Sequence, residues 1–579
     1  MTLGTWIITA SQREASPAVE YKSKGKWVQF TWPEYSNKIL SAYSFLRLHG
    51  LAGPIHVGLM SSTRWEWAAL DLAILGSGAV TVPMYPNLSN DDMLFIINNS
   101  DINVLIIENE TMQNQIDQIK DQFQRPLKVI MISEIDFDFP VSNEISSDFY
   151  KKCASLNCKD TATIIYTSGT TGRPKGVVLL HEAIASEVEE SFALFNVKPS
   201  YKSLTFLPFA HILGRLEHWG SCHMGHCVAY AESIEKVKPN LVQVKPDFIV
   251  AVPRIFEKVY AGIMAQIETN SMKQTLFNEA LSAAIEVEKF RKTKMAIPWA
   301  LLLKYEALNK LAFAPIREAF GGRLKFAISG GAPLDSKLTD FFFNCGIPIL
   351  EGYGLSETTG AITINTLAHH LIGTVGQPIG EVKIKIADDG EILIKSKKCM
   401  KEYYKTPDET SQVIKNGYFY TGDIGEFTTG GFLKITDRKK DLIKTDGGKY
   451  VAPQKLEGLL KQEPLISHVL IHGDQKKYIL ALITVDKAQI KQWAQNLNLK
   501  LEHDDEIFSN MALKSRLQKH IQLTNTKLAS YEAIKKFEIL RDEWTIENGA
   551  LTQSLKVKRK HLERKYADLI AEIYDIPKK

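Results

Sequence analysis

Long hydrophobic runs are missing from this sequence. No apolar stretch approaches the ~20 residues that a membrane-crossing helix needs. The best one, residues 68–82, is interrupted by Asp71. Cysteine is scarce: six in 579 residues cannot build a disulfide scaffold and suit a reducing compartment such as the cytosol. The opening residues lack a basic stretch followed by an apolar core, so no secretory leader is expected. Neither sign of charge is in excess. Lys and Arg number 70 against 66 Asp and Glu, a balance that gives no reason to expect a nucleic-acid partner. Nor is there a repeat: 36 Gly and 22 Pro fall without a period, which excludes collagen-like and solenoid chains. What remains is ordinary globular material. Apolar residues make up 45% and charged residues 23%, so the chain is not disordered. At roughly 150 residues per domain the length suggests four domains or two large ones.

Charge is unevenly placed. From Arg438 onward there are 27 Lys and Arg against 19 Asp and Glu, a net of +8, while the preceding segment carries −4. This contrast suggests two domains and an anionic, phosphorylated ligand near the basic one. The first two-thirds alternates β-branched runs with helical stretches. Strands are expected at 57–61, 79–84, 103–107, 129–132, 162–166, 204–207, 228–231, 248–252, 324–328 and 347–350. A helix is expected at 65–75. Near-continuous apolar strands separated by helices predict buried parallel sheets. Residues 255–320, rich in Ala, Leu, Glu and Lys, read as a helical insertion. From Lys383 short strands with Gly turns predict a small antiparallel region.

The most informative stretch follows the run at 162–166. Thr167, Ser168, Gly169, Thr170, Thr171 and Gly172 lead into Arg173, Pro174, Lys175 and Gly176. The glycines let successive N–H groups face one anion, the hydroxyls add donors, and Lys175 adds positive charge. This suits a polyphosphate. It is not the P-loop motif, which needs Gly-Lys followed by Ser or Thr, whereas Lys175 precedes Gly176 and Val177.

Tyr-Thr-Ser-Gly-Thr-Thr-Gly-x-Pro-Lys-Gly resembles the signature of the adenylate-forming (AMP-binding) superfamily of acyl-CoA synthetases, luciferases and peptide-synthetase adenylation domains. Further matches run in order to Lys556, over nearly the whole chain. The resemblance implies a two-step ligation using ATP, Mg²⁺ and CoA. A carboxylate attacks the α-phosphate of ATP, and a thiol then displaces AMP.

The remaining motifs acquire roles from that resemblance. His211, in Pro-Phe-Ala-His-Ile, is a packed or capping residue by default; the resemblance places it beside the acyl carboxylate. Gly330, Gly331 and Ala332 follow a strand, where ligand crevices form, and are implied at the adenine and acyl head. Gly352, Tyr353 and Gly354 suit an adenine ring. Glu357 is a hard oxygen ligand for Mg²⁺, with Thr167 as its companion, and Thr358 can donate to the α-phosphate. Asp423 and Arg438 are implied at the ribose, and Lys440 as the interdomain hinge. Gly448 matches the loop that enters for thioester formation. Lys556 matches the lysine that steadies the reacting α-phosphate. Catalysis is thus expected from Lys556, His211 and Lys175.

One cluster reads differently. Cys222, His223, His226 and Cys227 place four potential metal ligands in six residues. Structural zinc sites use separated pairs, so core packing is expected here.

Residues 206–259, the helical insertion and Ser-Leu-Lys-Val-Lys-Arg resemble the long-chain fatty-acid–CoA ligase branch. About 20 residues follow Lys556, too few for a carrier domain, so the thiol is separate. CoA is expected, with a free acyl-carrier protein as the alternative acceptor. A non-catalytic relative is disfavoured because Lys175, Glu357, Asp423, Arg438 and Lys556 are all present. The expected fold is α/β. Residues 1–437 form a large N-terminal adenylation body of doubly wound sheets with a distorted β-barrel. Residues 438–579 form a smaller mobile α+β C-terminal domain. Absence of a span leaves peripheral membrane contact open, which an insoluble fatty acid makes useful.

Overall fold

The computed structural model describes residues 1–167, 173–268, 270–497, 499, 504–545, 548–552 and 557–575. The apolar runs become two large sheets. In one, the parallel strands Thr161–Thr167, Val80–Met84, His56–Met60, Ile102–Ile107 and Lys128–Met131 lie side by side, with Lys175–Leu180 and Glu402–Tyr403 added antiparallel at one edge. In the other, Ile349–Leu355, Phe326–Ser329, Phe248–Ala251, Lys202–Thr205, Cys227–Tyr230 and Pro17–Ser23 form the parallel centre. Antiparallel strands close both of its edges. Central strands such as Val80–Met84, Cys227–Tyr230 and Phe248–Ala251 are buried on both faces, as crossover helices require. The helix expected at 65–75 is Trp65–Gly76.

The antiparallel region expected from Lys383 is a five-stranded sheet that includes Lys383–Ile386, Glu391–Lys395, Tyr418–Phe427 and Leu433–Arg438; among the described residues no strand pairing closes it into the expected barrel. The helical insertion is present as Pro253–Glu268, Ser271–Lys292 and Trp299–Leu308. A smaller unit follows. Its three-stranded sheet of Ile466–His472, Ile479–Val485 and Ile534–Ile539 is covered by helices such as Pro453–Leu460 and Met511–Asn525.

One expected strand is too short. The run at 347–350 continues as Ile349–Leu355 and takes Gly352, Tyr353 and Gly354 into the sheet. The glycines read as a loop, but Gly354 serves close approach: a Cβ there would stand 1.6 Å from the Gly360 carbonyl oxygen. Without one, Gly360–Ile364 can fold back onto the strand through a bulge.

A buried polar group pins the layers together. Asp71, on Trp65–Gly76, accepts from Arg215 (2.5 Å), His218 (3.0 Å) and Trp219 (3.0 Å). Arg215 also donates to the Thr163 hydroxyl at 2.6 Å. Burial pushes the Asp71 carboxyl up, but Arg215 and His218 overcome this and hold it below the usual range. Thr163 lies on the strand that ends at Thr167, and Arg215 lies on the helix that begins just after His211. The network therefore ties together the two segments that deliver these candidate residues.

Candidate active site

Parallel strands deliver their following loops to one edge of a sheet, where ligand crevices form. Thr161–Thr167 turns back as Lys175–Leu180, and Thr167 pairs with Lys175 across the base of that hairpin. Thr167 and Lys175 are thus adjacent. Ser168, Gly169, Thr170, Thr171 and Gly172 lie outside the described residues, as does Lys556. The Lys175 ammonium pairs with Glu409 at 2.7 Å and stands 5.0 Å from the centre of the Tyr403 ring.

Tyr403 joins the phosphate-type hairpin to the carboxylate. Its strand pairs with Val177 and Val178, and its hydroxyl donates to Glu357 at 2.7 Å. The Glu357 carbonyl accepts from the Met400 N–H at 2.7 Å. Burial, reinforced by Glu357, pushes the Tyr403 phenol up, so it remains a donor. Lys175, Tyr403 and Glu357 make one corner.

Thr358 is held within its own turn. Its side chain is buried: the hydroxyl accepts from the Leu355 N–H (2.8 Å) and lies 2.9 Å from the Gly360 carbonyl. The single hydroxyl proton thus has an acceptor in that turn, which leaves none for a phosphate in this conformation.

A second corner forms at the end of Ile349–Leu355. The Tyr353 hydroxyl donates to Asp423 at 2.6 Å, and the Arg438 Nε lies 3.1 Å from the other Asp423 oxygen. Asp423 and Arg438 face each other on paired strands. Burial and the nearby Asp423 push the Tyr353 phenol well up, so it stays protonated. Next to Ile349–Leu355, the strand Phe326–Ser329 leads into Gly330, Gly331 and Ala332. A Cβ on Gly330 would meet Leu213 at 3.4 Å and the Gly352 carbonyl at 3.9 Å. Gly330, Gly352 and the start of the His211 helix therefore meet. His211 itself caps that helix, its Nδ1 accepting from the Leu213 N–H at 3.2 Å.

Lys440 is exposed in the turn after Leu433–Arg438. Gly448 sits at the tip of the hairpin formed by Ile443–Lys444 and Tyr450–Val451, with φ +74° and open space around it. Among the described residues no hydrogen bond or ion pair joins this hairpin to Tyr353, Glu357 or Asp423.

Residues 8–404 match the AMP-binding enzyme family, and residues 440–577 match the AMP-binding enzyme C-terminal domain. The chain belongs to the AMP-binding enzymes. This AMP-binding enzyme is 35% identical over 95% of its length, and 93% of the relative's, to the long-chain-fatty-acid–CoA ligase FadD15 of Mycobacterium tuberculosis. It is 28% identical to long-chain-fatty-acid–CoA ligase 5 of Rattus norvegicus, covering 90% of this chain and 80% of the relative. Its fold matches the adenylation domain of a Mycobacterium chelonae carboxylate reductase, with TM-score 0.75, 20% identity, and coverage of 100% and 91%. The o-succinylbenzoate CoA synthetase of Bacillus subtilis, solved with ATP and magnesium, matches with TM-score 0.69, 20% identity, and coverage of 96% and 99%.

Tyr403, Glu409 and the buried Lys398 were not legible as site residues in the sequence of this AMP-binding enzyme. Lys398 pairs with Glu187 (2.9 Å) and Glu190 (3.0 Å). Glu187 also accepts from the Ala361 N–H at 2.9 Å, and the Lys398 carbonyl accepts from Thr359 at 2.5 Å. Thr359 is left-handed, at φ +61°. The charged group therefore backs the turn that carries Glu357.

The donor set near Glu357 suits Mg²⁺. It offers the Glu357 carboxylate, and among the described residues no group of three or more metal-binding side chains forms. A metal that takes most of its ligands from phosphates and water needs no more. The Cys222 to Cys227 segment packs in the core. His226 stacks on Phe192 at 5.9 Å and meets Phe248 edge-on at 5.2 Å.

Proposed function

We propose that this AMP-binding enzyme converts a long-chain fatty acid to its CoA thioester at the expense of ATP. The observation that carries the reading is that one strand and the turn after it, Ile349–Leu355 and Ser356–Thr358, carry both Tyr353 of the Tyr353–Asp423–Arg438 corner and Glu357 of the Lys175–Tyr403–Glu357 corner, in a chain 35% identical to a long-chain-fatty-acid–CoA ligase over 95% of its length. The second corner offers an aromatic face and a carboxylate to adenosine. The first offers cation and oxygen donors to the phosphates. Gly330, Gly331 and Ala332 leave room for the adenine and the acyl head, while Gly352 and Gly354 let the Gly360–Ile364 strand close in behind Tyr353.

In the first step a fatty-acid carboxylate oxygen bonds to the α-phosphorus, and the bond to pyrophosphate breaks. Lys175 holds the outer phosphates with the hydroxyls and N–H groups of Thr167 to Gly172. Lys556 steadies the charge on the α-phosphate, and His211 orients the incoming carboxylate. Glu357 and Thr167 would hold Mg²⁺, which would supply neutralising charge to the phosphates. In the second step the CoA sulfur bonds to the acyl carbon and AMP leaves. The smaller C-terminal unit, residues 438–579, turns about Lys440 between the steps and brings Gly448 toward the acyl-AMP. A cytoplasmic enzyme that touches the inner face of a membrane belongs to the same proposal, because its substrate partitions there.

Fatty-acid-dependent pyrophosphate release without CoA, followed by thioester formation when CoA is added, tests the reading. Thioester formation on acyl-carrier protein but not on CoA would move the assignment to the alternative acceptor.

A further inference from the structure

The helical insertion carries apolar side chains that cover nothing. On Trp299–Leu308 no residue is buried. Trp299 is 76% exposed, Leu303 62%, Met295 62% and Leu311 64%. On an ideal helix Trp299, Leu302 and Leu303 fall within an arc of about 100°, so they form one outward stripe. The inner side of the helix is accounted for: Tyr305 lies beneath Arg291 at 5.8 Å, and Lys304 lies 3.7 Å from Glu279 on the preceding helix.

Positive charge frames the stripe. Besides Arg291 and Lys304, which face Tyr305 and Glu279, residues 289–311 contain Lys289, Lys292, Lys294 and Lys310 against one acid, the exposed Glu306, which falls on the same side of the helix as Trp299 and Leu303. Lysine is depleted in the centres of protein–protein interfaces. Exposed Trp and Leu rimmed by Lys and Arg are what an anionic lipid surface attracts, the ring settling at headgroup depth and the cations meeting lipid phosphates. The insertion is also rooted at the candidate site. Its first helix, Pro253–Glu268, follows Phe248–Ala251, and the Val252 side chain lies 3.8 Å from where a Cβ of Gly331 would stand.

We infer that this AMP-binding enzyme docks on anionic bilayers through Met295, Trp299, Leu303 and Leu311 with the surrounding lysines. The inference deepens the fatty-acid reading, because that surface is where such a substrate dissolves. No span is involved: among the described residues no helix is long and apolar enough to cross a membrane.

The full chain is sedimented with vesicles of phosphatidylcholine alone or mixed with phosphatidylglycerol. Wild type is expected to bind the mixed vesicles and to bind the neutral ones weakly. The double variants Trp299→Glu/Leu303→Glu and Lys294→Glu/Lys310→Glu are expected to bind the mixed vesicles about tenfold more weakly or worse. Their unfolding temperatures should match wild type, since the altered side chains are exposed. Turnover of a short, water-soluble fatty acid without vesicles should also be unchanged. Wild type that ignores the mixed vesicles, or variants that bind as wild type does, would overturn the docking surface. A change in oligomeric state in Trp299→Glu/Leu303→Glu with vesicle binding intact would overturn it in favour of a contact between copies. Vesicle binding without any fatty-acid turnover would keep the surface and remove the ligase reading.

Discussion

The Lys398 ammonium lies 2.9 Å from the Glu187 carboxylate, and solvent reaches neither side chain. Glu190 stands 3.0 Å from the same ammonium. Replacing Lys398 with Met would leave two carboxylates facing each other without a cation. Breaking a buried pair this way costs about 3–5 kcal/mol. Denaturant unfolding of Lys398→Met should show that loss, with Lys398→Arg closer to wild type. A loss below about 1 kcal/mol, the value of an exposed pair, would show that the cluster is not holding the Glu357 turn.

Glu357→Gln keeps the size of the side chain and removes its charge. Pyrophosphate release should fall about 10²–10³-fold with circular dichroism unchanged. Tyr403→Phe removes only the hydroxyl that donates to Glu357, so its effect should be smaller and should show as a higher Mg²⁺ concentration for half-maximal rate. Wild-type Mg²⁺ dependence in both variants would remove the metal from this corner.

Asp423 is held between the Tyr353 hydroxyl and the Arg438 guanidinium. Hydrogen bonds to a charged group contribute about 1.5–3 kcal/mol each. Asp423→Asn should therefore raise the KM for ATP about tenfold or more while changing the KM for fatty acid little. An equal rise for both substrates would argue that the change disturbs the fold rather than nucleotide binding.

Glu217 predicts a pH dependence of stability. Burial pushes its carboxyl from 4.5 up to about 7, which the Ser203 and Thr205 hydroxyls only partly oppose. The folded state thus holds the proton more tightly than the unfolded chain. Its stabilising contribution is full below pH 4.5 and is lost as the pH rises through about 7. Glu217→Gln does not titrate. The stability of wild type relative to Glu217→Gln should therefore fall between pH 5 and pH 8, by at most roughly 3 kcal/mol. His181 and His226, held neutral by burial, work in the opposite direction in both proteins and cancel in the difference. A flat difference would place the Glu217 proton in water.

The two half-reactions separate Lys556 from Lys440. Lys556→Ala should lose acyl-AMP formation yet still convert added acyl-AMP to the thioester. Lys440 is exposed in its turn, and proline there fixes φ near −65°. Lys440→Pro should make acyl-AMP and pass it poorly to CoA. Equal loss of both steps in both folded variants would rule out a two-orientation mechanism. Loss at Lys558→Ala instead of Lys556→Ala would move the lysine by two positions.

Much of the sheet architecture was legible because buried parallel strands are apolar throughout. The expected run at 248–252 is Phe248–Ala251, and that at 103–107 is Ile102–Ile107. Lys175, Glu357, Asp423 and Arg438 stood out because each lies in a compact local motif. Tyr403 did not, because it reaches Glu357 only through strand pairing with Val177 and Val178. Glu187 and Lys398 lie 211 positions apart and meet only in the folded core. The strand Ile349–Leu355 was cut short for a different reason: glycine usually breaks strands, and here it admits a neighbouring backbone.

Lys175 already has an anion beside it, the Glu409 carboxylate at 2.7 Å. A phosphate that reaches this lysine competes with that partner for the ammonium, which has three donors to share. Glu409 sits on Pro407–Val413, six residues past Tyr403 of the 402–403 strand. Arrival of phosphate is thereby felt directly by the segment that presents the Tyr403 hydroxyl to Glu357.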